Sequence, residues 1–169
     1  AAAGSRIVNA NTFGASAHKL AGSAYSLEEI IAAGIANCKR ACAPYGALTT
    51  LDVGPLGELL EPSGTLAFED AVNEYARIVR AGVAAGADLI FFETFTDLYE
   101  LKAALLAAKE NSTLPILASM SFEAGGRTFT GCTVESFGVT ARGLGASAVG
   151  INCSLGPKEI FPMAKRLTE

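Results

Sequence analysis

Residues Ala87–Thr94 read ADLIFFET, a short and almost wholly apolar run that meets an acid, Glu93, near its end. Four other runs have the same character and are separated by stretches with helical periodicity: Arg6–Phe13, Ala47–Gly54, Pro115–Phe122 and Ala146–Ser154. Apolar runs without clean alternation are typical of strands buried on both faces, as in a parallel sheet covered by helices. The sequence therefore predicts an α/β protein of about five consecutive parallel strand–helix units.

Helix-boundary signals lie between these runs. Ser26 and Glu29 have the spacing of a capping box, and Asp97 and Glu100 repeat that spacing before the third helix. Periodicity indicates a helix over residues 68–85, and Thr133 begins a shorter one. Pro157 is placed to begin the final helix, which has a predicted apolar stripe of Ile160, Phe161, Ala164 and Leu167.

Chain length limits the architecture that these units can form. Right-handed crossovers would curl them into a barrel or an open doubly wound sheet, and a complete eight-unit barrel needs about 250 residues. With 169 residues, the chain is predicted to be a single domain over residues 1–169. We expect a partial (β/α)8 TIM barrel that lacks the first strand and the last strands.

The composition and charge of the sequence argue against some classes of binding partner. The formal charge is −4 and the 13 Lys and Arg residues are scattered, which argues against a nucleic-acid partner. Asp88 and Glu93 interrupt the best apolar segment, so no membrane span is predicted. Four cysteines without the paired spacing of secreted proteins fit reduced thiols. We therefore expect a cytoplasmic protein.

Polar side chains lie at the ends of the apolar runs, and proteins with parallel sheets place their catalytic and binding residues at the carboxyl ends of the strands. They are Asn11, Asp52, Glu93, Ser121, Asn152 and Cys153. A carboxylate after an apolar strand needs a partner, so Glu93 would receive either a bound ammonium group or a structural hydrogen bond from a loop amide. Asp52 and Asn11 occupy equivalent strand ends and could orient the same ligand.

Cys153 precedes the helix that Pro157 begins, and a helix N-terminus favours a thiolate. It could act as a nucleophile or as a soft metal ligand, and the alternative is a small buried side chain. Cys38 and Cys42, four residues apart on an apolar stripe, are predicted to lie in the core. The only histidine, His18, is predicted to be on the surface, which disfavours Cys-His and Ser-His-Asp mechanisms.

Several segments, in this order, carry a resemblance to a known family. They are Asn11–Ala15 (NTFGA), Gly54–Pro62 (GPLGELLEP), Phe92–Asp97 (FETFTD), Ser119–Phe122 (SMSF) and Gly150–Pro157 (GINCSLGP). Together they resemble the homocysteine-binding barrel of the homocysteine S-methyltransferase family, in particular that of the cobalamin-dependent members. The likeness covers nearly the whole chain.

The resemblance implies a reaction and a set of roles. Zinc held by three cysteine thiolates would bind the homocysteine sulfur, which then accepts a methyl group to give methionine. Cys153 matches the first zinc ligand, and Glu93 matches the carboxylate that receives the substrate ammonium. Asn11 resembles a residue near the substrate at the barrel mouth. Methylcobalamin on another domain would be one methyl donor.

The sequence also departs from the family pattern. The other two zinc ligands of the family are an adjacent Cys-Cys pair, which this sequence lacks, and the first strand with its Asp-Gly motif is absent. We therefore expect an internal fragment that retains zinc poorly and is inactive alone. Its open sheet edges would pair with a second copy or with the remaining domains of the parent enzyme.

Two other interpretations stay open at this point. One is a non-catalytic barrel segment that serves as a scaffold. The other is an unrelated barrel enzyme in which Cys153 is the nucleophile. Metal content separates the zinc-dependent methyltransferase from the unrelated enzyme, whereas the oligomeric state tests the scaffold.

Overall fold

The structure, a computed structural model, describes residues 1–168. Five parallel strands form one sheet in chain order: β1 Ile7–Asn9, β2 Leu48–Val53, β3 Leu89–Phe95, β4 Ile116–Met120 and β5 Ala148–Ile151. A helix follows each strand: α1 Leu27–Cys42, α2 Phe68–Ala84, α3 Leu98–Asn111, α4 Val134–Gly143 and α5 Pro157–Thr168. The predicted series of five parallel strand–helix units is confirmed, and it forms part of a (β/α) barrel.

Each strand is shorter than the apolar run that predicted it. The first run extends to Phe13, but β1 ends at Asn9 because the chain turns there, with Thr12 N–H donating to the Ala10 carbonyl at 2.9 Å. The fifth run extends to Ser154, but β5 ends at Ile151. The carboxyl-terminal residues of these runs therefore build loops at the mouth of the barrel rather than strands.

The core lies between the outer face of the sheet and the helices. Leu51, Ile90 and Phe92 are fully buried there, and Tyr75 of α2 meets the Phe92 ring edge-on at 6.0 Å between centroids. Helix α2 approaches β2 so closely that a Cβ atom on Gly82 would lie 2.4 Å from the Leu51 side chain. A larger residue at this position would force the Leu51 side chain to shift.

The opposite, concave face of the sheet also carries apolar side chains. Paired residues of a parallel ladder point to the same face, so the register places Ile7 and Leu48 together on the concave side, as it does Phe91 and Leu117. Ile7 and Leu48 are 45% and 47% exposed, and Phe91 and Leu117 are half-buried. Apolar residues on both faces explain why the runs lack clean alternation.

Most of the predicted helix signals are found in the structure. Ser26 and Glu29 form the capping box, with Glu29 N–H donating to Ser26 Oγ at 3.2 Å and Ser26 N–H donating to Glu29 Oε2 at 2.8 Å. Thr133 caps α4, and the Asp97 carboxylate caps α3 by accepting from Tyr99 N–H at 3.0 Å. Residues 1–168 contain no helix with the length and apolar character needed to cross a membrane.

Two predictions about helical side chains are wrong. Glu100 does not complete a capping box, because its carboxylate is buried and accepts hydrogen bonds from Leu56 and Tyr75. Phe161 is 71% exposed, and Met163 takes its place in the buried stripe. Met163 lies three residues after Ile160, whereas Phe161 is turned by about 100° from that face.

Candidate functional site

The side chain of Asn152 joins the carboxyl ends of three neighbouring strands. Its Nδ2 donates to Glu93 Oε2 at 3.1 Å and to Thr94 Oγ1 at 2.8 Å, both on β3. Its Oδ1 accepts from the Ser119 hydroxyl of β4 at 2.9 Å. The half-buried amide therefore fixes the orientation of the Glu93 carboxylate at the mouth of the barrel.

The turn after β5 is tied to the end of β4. The Ser121 hydroxyl donates to the backbone carbonyl of Asn152 at 2.8 Å, and Phe122 N–H donates to Ser154 Oγ at 3.2 Å. Cys153 lies between these anchors, with its Sγ 3.3 Å from Asn152 Nδ2. The thiol is thus held beside the amide that contacts Glu93.

Cys153 is exposed, so the alternative of a small buried side chain is wrong. The chain leaves the sheet after Ile151 and turns through Cys153 with φ 64°. Thr94 has a similar value, φ 65°. Left-handed backbone is costly for residues other than glycine, most of all for a β-branched residue, and such strain clusters at functional sites. Both strained residues contact Asn152.

Asp52 lies beside Glu93 on the adjoining strand. Its side chain is 6% exposed, and Oδ1 makes no hydrogen bond among residues 1–168. Burial, together with the charge of Glu93 and a hydrogen bond to it, raises the pKa of Asp52 to about 8. At neutral pH the Asp52 carboxyl group therefore holds its proton.

Asn11 is the one predicted site residue that stands apart. It lies on the loop after β1, is exposed, and its side chain makes no hydrogen bond within residues 1–168. Its neighbour Thr12 makes the contact with β2 instead. The Thr12 hydroxyl donates to the Asp52 carbonyl at 2.8 Å and accepts from Asp52 N–H at 3.1 Å. A substrate contact for Asn11 stays a prediction.

Sequence reasoning missed Thr12, Thr94 and Ser119. Ser119 had a detectable signal, because it lies two residues before Ser121 and therefore on the same face of the strand. The roles of Thr12 and Thr94 depend on hydrogen bonds across the sheet and, for Thr94, on left-handed backbone inside β3, which local sequence does not reveal.

A cavity of about 280 Å³ adjoins this cluster. Ser121 and Ser154 line it together with Phe122, Leu155 and the exposed ring of Phe129. Cavities of about 460 and 570 Å³ lie elsewhere, one between α4, β5 and α5 and the other along the outer rim of the loops. None of the three cavities is lined by Glu93, Asn152 or Cys153, so the polar cluster defines the site better than a cavity does.

The residues present do not make a complete metal site. Within residues 1–168, no group of three or more His, Cys, Asp or Glu side chains is arranged to hold a metal ion. Cys38 and Cys42 lie in the core, as predicted, with sulfur atoms 3.9 Å apart. The half-buried Cys132 thiol donates to the Thr133 carbonyl at 3.2 Å. Cys153 is therefore a single thiol donor at the mouth.

These features define a protein of the (β/α)-barrel class with a polar site at the carboxyl ends of its strands. The sequence profile of the family described as homocysteine S-methyltransferase matches residues 1–169. The chain belongs to the homocysteine S-methyltransferase family, which confirms the resemblance and excludes an unrelated barrel enzyme.

Curated relatives are methionine synthases. The chain is 28% identical over 121 residues to the methionine synthase of Mycobacterium tuberculosis (strain ATCC 25618 / H37Rv), which aligns 69% of this chain with 10% of that protein. It is 26% identical over 182 residues to the methionine synthase of Mycobacterium leprae (strain TN), across 99% of this chain and 15% of that protein. The chain therefore spans a small part of these relatives.

Solved structures of the homocysteine methyltransferase MmuM from Escherichia coli have the same fold. The metallated form gives a TM-score of 0.83 at 17% identity, with 98% of this chain aligned to 64% of that chain. The apo form gives 0.74 at 18% identity and covers 98% and 62% of the two chains. At this identity the likeness supports the barrel architecture.

Proposed function

We propose that the chain is the homocysteine-binding part of a zinc-dependent methyltransferase that methylates the homocysteine thiolate to give methionine. The observation that carries this proposal is the Glu93 carboxylate, held by Asn152 at 3.1 Å beside the exposed thiol of Cys153. Membership of the homocysteine S-methyltransferase family supports the reaction class.

The carboxyl pair matches the charge of an amino acid's ammonium group. Because Asp52 holds a proton at neutral pH, the pair with Glu93 presents one negative charge to one positive charge. Glu93 would accept from the ammonium, and the protonated Asp52 beside it would add no second charge. Asn152 and Ser121 would fix this geometry through their hydrogen bonds at the strand ends.

Cys153 would supply one thiolate to a zinc ion that the parent enzyme completes with ligands other than those in residues 1–168. Zinc, when bound, lowers the pKa of a thiol that coordinates it, so that the substrate sulfur is a thiolate at neutral pH. The exposed position of Cys153 in a left-handed turn is compatible with this role. The same proposal includes zinc in the parent enzyme and methylcobalamin on another domain as one methyl donor. It also includes association of the chain with a second copy and a cytoplasmic location.

Nuclear magnetic resonance titration tests the binding part of the proposal. L-Homocysteine is expected to shift the backbone amide signals of Glu93, Thr94 and residues 152–154, whereas 4-mercaptobutyrate, which lacks the amino group, leaves them in place. Equal shifts with both ligands would contradict an ammonium site. No shift with either up to roughly 10 mM would favour the non-catalytic scaffold.

A further inference from the structure

The peptide unit between Pro55 and Leu56 is held from both sides. Leu56 N–H donates to Glu100 Oε1 of α3 at 2.7 Å. The Pro55 carbonyl accepts from the ammonium group of Lys19, which lies on the loop between β1 and α1. The loop after β2 is therefore clamped between a carboxylate and a cation from two other parts of the chain.

Glu100 is unusual because its carboxyl group lies in the interior, whereas glutamate side chains are mostly exposed. It is 4% exposed, and the Tyr75 hydroxyl donates to the same oxygen that binds Leu56, at 2.8 Å. Burial raises the pKa of Glu100, and the hydrogen bonds from Leu56 and Tyr75 oppose that rise. A buried carboxyl group is costly unless hydrogen bonds satisfy it, so its position depends on the loop it holds.

The clamped peptide is connected to the carboxyl pair through a short, tightly packed segment. Asp52 lies three residues before Pro55, and the Thr12 hydroxyl forms hydrogen bonds with the backbone of Asp52. Gly54 N–H donates to the Phe13 carbonyl at 3.2 Å, and a Cβ atom on Gly54 would lie 2.5 Å from the Phe13 ring. Movement of the Pro55–Leu56 peptide would therefore disturb the packing around Asp52.

We propose that Glu100 is a positioning residue: by holding the Pro55–Leu56 peptide, it fixes the loop that continues directly from Asp52 and so keeps water away from the Asp52–Glu93 pair. The relevance of this clamp to ammonium binding rests on the proposed function, but the clamp itself does not. Lys19 completes the clamp from the other side of the same peptide.

Carbon-13 NMR titration of the Asp52 carboxyl group and hydrogen exchange of the Leu56 amide test this inference without any ligand. Glu100→Ala removes the acceptor, whereas Glu100→Gln removes the charge but keeps an oxygen for Leu56. Glu110→Ala, which removes an exposed carboxylate from the same helix, is the matched control. Failure of homocysteine binding would overturn the proposed function but would not change these readouts.

In Glu100→Ala, the Leu56 amide should exchange at least about tenfold faster, with amides of β3 and β4 unchanged. The pKa of Asp52 should fall by at least about one unit as water enters. Glu100→Gln and Glu110→Ala should behave like the unmodified chain. An unchanged Asp52 titration in Glu100→Ala, or the same fall in Glu100→Gln, would overturn the inference.

Lys19→Met provides a second test if Glu100→Ala does not fold. The pKa of Asp52 is raised by burial and by Glu93, and Lys19 is not among its causes, so a fall in this pKa would come from opening of the loop. The clamp predicts that this pKa falls and that the Leu56 amide exchanges faster. A rise in the pKa of Asp52, or no change in it, would overturn the inference.

Discussion

The Asn152 amide donates a 3.1 Å hydrogen bond to the Glu93 carboxylate although 59 residues separate them in the chain. The two residues stand at the ends of β5 and β3, and Ser119 of the intervening strand binds the same amide. One side chain therefore couples three consecutive strand–helix units at the mouth of the barrel. Its loss should affect both stability and the geometry of the site.

Asn152→Ala should lower the free energy of unfolding by about 1–3 kcal/mol, because it leaves half-buried partners of the amide without a hydrogen bond. Asn152→Asp should cost at least as much at neutral pH, since it places a carboxylate against Glu93. Urea denaturation measures both effects. Asn73→Ala, on an exposed part of α2, is the control and should change little. Equal stabilities for all three variants would show that the amide network contributes nothing.

Asp52 should make stability depend on pH. Its pKa of about 8 in the folded chain exceeds the ordinary value of about 3.9, so the folded state binds the extra proton between these values. The stability that this proton contributes is fully present below about pH 4. It is lost progressively as the pH rises to about 8, at up to about 1.4 kcal/mol per pH unit. Asp52→Asn removes this dependence, so the variant should match the chain near pH 4 and exceed its stability above pH 8. A pH-independent difference between the two would contradict the shifted pKa.

Gly82→Ala should destabilise the protein even though alanine favours helices by about 1 kcal/mol. The added methyl group would meet Leu51, and overpacking of this kind costs about 1–3 kcal/mol. Gly143→Ala in α4 is the matched control, because a Cβ atom there meets nothing within 4 Å. Chemical denaturation should show loss of stability in the first variant and no loss in the second. The reverse order would mean that α2 does not pack on β2 as described.

Zinc should be removed readily from the chain by dialysis against a mild chelator. Cys153 is a single thiol donor at the mouth, and protons compete for a lone thiolate at neutral pH. Metal analysis should therefore give far less than one zinc per chain, with Cys153→Ala no different. Stoichiometric zinc that disappears in Cys153→Ala would show that this chain completes the site with donors outside the cluster described.

The strand–helix order could be predicted because parallel strands buried on two faces leave long apolar runs such as ADLIFFET, and because the capping residues Ser26 and Thr133 act locally. The gathering of Glu93, Asn152 and Cys153 followed from this topology, since parallel strands bring their carboxyl ends to one edge. Local signals thus sufficed wherever the determining contacts were within one element.

Contacts between elements could not be predicted in this way. Glu100 has the spacing of a capping residue, yet donors on α2 and on the loop after β2 draw its carboxylate into the interior. At Thr94, inside β3, the backbone is left-handed against the preference of a β-branched residue, and the Thr94 hydroxyl accepts a hydrogen bond from the distant Asn152. In both cases residues distant in sequence override the local preference.

In the proposed function, Glu93 receives the ammonium group of homocysteine. The most direct measurement is the dissociation constant of L-homocysteine and of N-acetyl-L-homocysteine for the chain and for Glu93→Gln. We expect L-homocysteine to bind the chain at least about tenfold more tightly than it binds Glu93→Gln, because the substitution removes the charge pair between the carboxylate and the ammonium group. N-Acetyl-L-homocysteine, which has no ammonium group, should bind both weakly and equally. Equal affinity of L-homocysteine for the chain and for Glu93→Gln would show that Glu93 does not receive the ammonium group.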